Sequence, residues 1–137
     1  MAALVDVTPE QAASLLTAAK QYDGKPYFTG AGARSNPTAG FDCSGLVWYS
    51  INQAGFTYSY SDTADFPHNL RVRKLRIPPD QAEAGDILLF SGHMGFFDPN
   101  PPVAGKTLYS ATSHGVRYES PRFWGTQLGI YRLQVGN

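Results

Sequence analysis

The chain has 137 residues, of which 42% are hydrophobic and 13% aromatic, and its 11 basic and 11 acidic side chains cancel. This is enough apolar material for one domain with a real core, and too much for a disordered chain. The balanced charge argues against nucleic acid or an anionic membrane surface held by bulk attraction.

A single cysteine, Cys43, excludes an internal disulfide. No apolar run approaches the roughly 18 residues of a membrane-spanning helix. Met1 to Asp6 lack the basic start and long apolar stretch of a signal peptide. No repeat, linker or low-complexity tract divides the sequence, so residues 1–137 are expected to form one domain, with a monomer as the default.

Thr8-Pro9-Glu10-Gln11 reads as a helix start: Thr8 is the N-cap, Pro9 suits the first helical position, and Gln11 completes a capping box. Ala12, Leu15, Leu16 and Ala19 form the apolar stripe, and Gly24 ends the helix. Lys25 to Gly40 is a loop rich in glycine, where backbone can approach a site closely. Spacing alone favours Tyr27 in that loop as a core aromatic, with a role at a site as the alternative. Asp42 caps a second helix that runs to about Ala54 and stops at Gly55, with Val47, Ile51 and Ala54 on one face. Phe56 to Ser61 reads as a surface segment. Asp62 to Leu70 reads as a short helix or turn closed by Pro67, with His68 exposed. The one basic cluster, Arg71 to Arg76, is better explained as the solvated face of a strand than as a patch for an anionic polymer.

From Ile77 the pattern changes to strands. Ile87–Phe90, His93–Phe97, Thr107–Thr112, Gly115–Glu119 and Gly129–Leu133 are expected to form a five-strand antiparallel meander. Helices first and strands second is an α+β layout.

A lone cysteine is more often a small buried hydrophobe than a nucleophile. Cys43, however, occupies the first position of a capped helix behind a glycine-rich loop. Helix-terminal N–H groups and the helix dipole favour an anion there, so the thiol pKa is expected to fall and the thiolate to be accessible. His93 opens a strand after a Ser-Gly turn and is the candidate base. A third polar group is needed to orient its imidazole, and spacing does not choose it. The histidines and carboxylates show no metal-ligand spacing, so no metal or other cofactor is expected.

Pro26-Tyr27, Phe41 to Val47 (containing Asp-Cys-Ser-Gly), Ala84 to Phe90, and Gly92 to Phe97 (containing Gly-His-Met-Gly) resemble, in order and spacing, the successive motifs of the NlpC-type cell-wall cysteine peptidases. The resemblance runs from about Ala12 to Leu133. It implies a papain-like fold with N-terminal helices packed on a five-strand antiparallel sheet. It implies hydrolysis of amide bonds in peptidoglycan stem peptides, often between D-γ-glutamate and the following diamino acid. On this resemblance Cys43 is the nucleophile and His93 the base. Tyr27 lines the site and helps the oxyanion, which reverses the core reading. Asp42 and Ser44 match the pair that, in members cleaving free stem peptides, can meet the substrate's N-terminal amine. The chain departs from the family at the third member, usually His, Asn or Gln: aligning Leu108 to Ala111 puts Ser110 in that slot. His114, a backbone carbonyl or a water are the alternatives. The loop Asp98 to Lys106 is longer than the usual hairpin and is expected to wall the groove.

Two other classes compete: a cysteine acyltransferase or amidase on a non-wall substrate, and a non-catalytic module that binds wall or a partner protein. The joint presence of Cys43 and His93 argues against the second. A wall hydrolase acts in the periplasm or outside the cell. Without a leader in these residues, the expected routes are delivery by a secretion machine, association with phage, or removal from a longer protein. A delivered toxin would require an immunity protein as a partner.

Overall fold

The computed structural model describes residues 3–136. Helix α1 spans Pro9–Lys20, and its start is the expected capping box: Thr8 Oγ1 accepts from the Gln11 backbone N–H while the Gln11 side chain accepts from the Thr8 N–H. Helix α2 spans Cys43–Gln53, with Asp42 as its N-cap. The strands are β1 (Leu4–Asp6), β2 (Val72–Lys74), β3 (Ile87–Phe90), β4 (His93–Phe97), β5 (Leu108–Thr112), β6 (Gly115–Glu119) and β7 (Gln127–Gly136).

Every strand pairing is antiparallel, and the order across the sheet is β1-β7-β3-β4-β5-β6, with β2 also paired to β7. The five expected strands are all present, but they do not form a simple meander. After β6 the chain crosses back so that β7 lies beside β3, and the short β1 and β2 add to β7. The expected boundaries also shift: β7 is ten residues long and β5 begins at Leu108.

The sheet carries two apolar layers. Ile87, Leu89, Met94, Phe96, Tyr109 and Ala111 meet Leu15, Leu16, Leu46, Val47 and Ile51 of the helices. The opposite face buries Leu75, Leu88, Phe90, Leu108 and Ile130, closed by Phe97 and Trp124. Phe56 to Ser61 is not the surface segment expected: Tyr58 is buried in the main core and Tyr60 turns inward onto Ser44. Pro67 does not close the following turn but lies inside the single 3-10 turn Phe66–His68. The basic cluster is a solvated strand as expected, with Arg73 forming an exposed ion pair with Asp6.

The Gly85-Asp86 pair before β3 explains itself structurally. Gly85 has φ +90°, and a Cβ there would lie 1.7 Å from the Ala12 carbonyl oxygen, so α1 packs directly on its backbone. Asp86 is fully buried. Its carboxylate accepts from the Glu83 N–H and, through both oxygens, from Nε and Nη2 of Arg132 on β7, each at 2.8 Å. This pair ties the start of β3 to the far strand.

Candidate active site

Asp42 sets the site's entrance. Its Oδ1 accepts from the Gly45 N–H at 2.7 Å and its Oδ2 from the Gly32 N–H at 2.8 Å, so one carboxylate holds both the helix start and the preceding loop. Cys43 follows as the first residue of α2 and is 8% exposed. Its thiol donates weakly to the Gly92 carbonyl at 4.0 Å, and the Met94 N–H lies on its other side. The sulfur therefore rests against the backbone on either side of His93. Tyr27 is bridged to Phe41, packs on the main core and lies beside Cys43. Burial first, then the neighbouring Cys43, Asp42 and Tyr60, pushes its phenol pKa up. Tyr27 thus packs on the core, as its spacing suggested, while standing next to Cys43.

His93 opens β4 and is 3% exposed. Its Nε2 is 2.9 Å from the Oγ of Ser110, which is fully buried in β5. Phe96 pairs with Tyr109, so one step along the register Gly95 faces Ser110. A Cβ on residue 95 would lie 2.6 Å from Ser110 Cβ and 2.7 Å from the Tyr109 carbonyl oxygen. The missing side chain at Gly95 lets β5 approach closely enough for so short a side chain to reach the imidazole. His114, the alternative orienter, sits exposed in the β5–β6 turn, where its N–H bonds Thr112 Oγ1. The structure brings Ser110 to His93 and leaves His114 in that turn. We expect Ser110→Ala to lower kcat about tenfold with KM little changed, the loss of one hydrogen bond of about 1 kcal/mol, measured by steady-state kinetics.

The electrostatics correct one expectation. Burial pushes the Cys43 thiol pKa up rather than down, against the opposing N–H groups of Met94, Ser44 and Cys43 itself. The dipole argument left out the cost of removing an anion from water. Burial also lowers the His93 pKa to about 4. Burial thus disfavours the charged form of each group, thiolate and imidazolium alike. A consequence for stability follows. The unfolded chain takes up a proton at an ordinary imidazole near pH 6.5, whereas the folded chain resists until about pH 4. Stability should therefore be intact above pH 6.5 and fall by up to about 3 kcal/mol as pH drops to 4. Urea denaturation across this window should show the loss, and His93→Gln should flatten it. Asp6, held down to about 2 mainly by its Arg73 hydrogen bond, acts only below the ordinary carboxylate range.

Asp42 and Ser44 are both buried, and Ser44 Oγ is 2.8 Å from the Tyr60 hydroxyl. They sit beside Cys43 with their polar atoms engaged inside the protein. The long loop after β4 serves both faces of the sheet: its first half lies on the helix side, while its Gly105 lines a hollow on the His93 face. Asp98 binds the Tyr118 hydroxyl, and Asn100 and Pro102 line a hollow with Lys20, Asp23, Tyr109 and Tyr118 on the helix side. This second hollow, of about 530 Å³, lies on the His93 face of the sheet, between Leu88, Phe90, Ile130 and the 3-10 turn Pro121–Trp124. Sequence reasoning also missed Trp124 of that turn. Its ring stacks on the His93 imidazole with centroids 3.5 Å apart and planes 12° from parallel.

A cysteine opening the helix that packs on the sheet, set against the strand a histidine opens, is the layout of a papain-like α+β domain. The chain belongs to the NlpC/P60 family, whose model matches residues 24–132. It is 30% identical over 125 residues to the bifunctional muramidase/DL-endopeptidase CwlT of Bacillus subtilis, covering 84% of this chain and 34% of that protein. It is 30% identical over 128 residues to the gamma-DL-glutamyl hydrolase of the same organism, covering 84% of this chain and 28% of that protein. The P60 domain of a Mycobacterium avium subspecies paratuberculosis antigen superposes with a TM-score of 0.65 at 20% identity, over 92% of this chain and 96% of that domain. The chain spans about a third or less of the curated relatives it matches.

Proposed function

We propose that the protein hydrolyses amide bonds in peptidoglycan stem peptides, at the bond between D-γ-glutamate and the following diamino acid. The observation that carries the reading is the placement of the Cys43 thiol, at the start of α2, against the backbone that flanks His93, whose Nε2 lies 2.9 Å from Ser110 Oγ. The names of the DL-endopeptidase and gamma-DL-glutamyl hydrolase relatives support the choice of bond.

In this reading Cys43 Sγ attacks the amide carbonyl. With Nε2 of His93 committed to Ser110, Nδ1 is the nitrogen that takes the thiol proton. The imidazolium gives that proton to the leaving amine, and the imidazole then activates water to clear the thioester. The oxyanion is held by the Cys43 N–H with the Tyr27 hydroxyl, each donor lowering the barrier by about 3 kcal/mol. Asp42 and Ser44 hold the helix start beside the nucleophile, and a substrate amine would meet them only by displacing an internal hydrogen bond such as Ser44–Tyr60. The enzyme works as a monomer on the wall, in the periplasm or outside the cell.

The test is mass spectrometry of purified peptidoglycan incubated with the protein. Fragments ending in D-glutamate, with new amino termini on the diamino acid, would support the reading. Release of different termini would move the bond. No soluble fragment from intact wall or from free stem peptides would overturn the substrate.

A further inference from the structure

We propose that Trp124 is a positioning residue for the base: its indole clamps the His93 imidazole in the plane set by Ser110 and keeps water from it. The inference rests on the preceding reading for the role of His93.

The hydrogen bond from His93 Nε2 to Ser110 fixes one atom of the ring but leaves the ring able to pivot about that contact. A second ring lying parallel at 3.5 Å removes the pivot. The two contacts together aim the remaining nitrogen. Trp124 is itself held on three sides. It ends the turn Pro121–Trp124, which Ser120 Oγ caps by accepting from the Arg122 N–H. It packs on the apolar layer of Leu88, Phe90 and Ile130, and Phe123 meets it edge-on at 5.2 Å. Its Nε1 is buried without a hydrogen-bond partner. A native structure that leaves an indole N–H unsatisfied calls for a gain elsewhere, and the stack on His93 is the contact that this position makes. The ionisable groups on the surrounding elements are Cys43 at the start of α2, Arg117 on β6 across from Ser110, the buried Glu119 two positions further along β6 and 3.6 Å from Arg117, and Arg122 in the turn. None of them covers the ring face that Trp124 covers.

Two measurements need no substrate. The chain has two tryptophans, Trp48 and Trp124. In a Trp48→Phe background, Trp124 is the sole emitter, and an imidazolium stacked on it accepts an electron from the excited indole where neutral imidazole does not. Its emission should fall on acidification with one midpoint, and His93→Gln should abolish that step. In Trp124→Ala, the His93 ring-proton resonances should titrate about one to two pH units higher, toward the ordinary value near 6.5, because water reaches the imidazole. With a stem peptide, kcat of Trp124→Ala should fall at least about tenfold while KM stays within about twofold, and Trp124→Phe should recover most of the loss. The proposal is overturned if the emission step survives His93→Gln, or if the His93 titration is the same with and without the indole. If Trp124→Ala does not fold, the emission step and the Trp124→Phe titration decide. Loss of the substrate reading would leave both spectroscopic results standing.

Discussion

Cys43→Ala and His93→Ala should each lower kcat on a stem-peptide substrate by about four to six orders of magnitude, and the double variant by no more than the worse single one. The reason for the missing additivity lies in the proton transfer. In the proposed mechanism the buried thiol, its pKa pushed up by burial, becomes a nucleophile as its proton leaves for His93. Without the imidazole, the sulfur remains a thiol. Without the sulfur, the imidazole has no proton to take. The two side chains therefore act as one device. Burst kinetics with an activated amide would check it: a double variant far slower than either single variant would mean that each residue works alone. Because the substitution removes one sulfur atom and only a weak 4.0 Å hydrogen bond, the alanine variant should unfold at nearly the wild-type urea concentration.

The largest stability effect should come from Asp86→Ala, at about 3–5 kcal/mol. The substitution leaves the Arg132 guanidinium, only 16% exposed, without its bidentate partner and with Glu83 at 3.4 Å as the remaining carboxylate. It also removes the acceptor of the Glu83 N–H. The control is Asp86→Ala with Arg132→Met. Removing the stranded cation should recover a good part of the loss, since a buried ion pair is expensive mainly when halved. Urea midpoints of the two variants measure this. If the double variant is the less stable one, the penalty does not come from an uncompensated charge.

The two effects separate what was legible in the sequence from what was not. Local chemistry was legible. Thr8 and Gln11 announced α1, Asp42 announced α2, and the apolar run Ile87–Phe90 announced a strand buried on both faces. Ser110 could be aligned to the orienting position because the strands around it kept their spacing, and Gly95 shows why so short a side chain suffices there. Long-range pairing was not legible. β1 has three residues, too few for a period, and although the basic cluster read as a strand, nothing local said that β2, like β1, would pair with β7. The place of β7 beside β3 is set by tertiary packing and by the Asp86–Arg132 pair, between residues far apart in sequence. Trp124 sits in a turn without any repeating pattern, and its stack spans 31 positions of chain to His93. The thiol shift was misjudged because helix-end fields can be read from sequence and burial cannot.

The crossover of β7 has a consequence for synthesis on the ribosome. β7 lies after every other strand in the sequence, yet it pairs with β1, β2 and β3. A nascent chain that has emerged as far as β6 can assemble β3 to β6 and the helices upon them. It then leaves the four-residue edge of β3 open, with β1 and β2 unanchored and the Asp86 carboxylate without its arginine. Closure requires β7 to insert along that edge, bridging residues from opposite ends of this domain. Such contacts are slow to form, and until they do the open edge invites pairing with another chain. The vulnerable interval in the life of this protein is therefore the one between the emergence of β6 and the docking of β7.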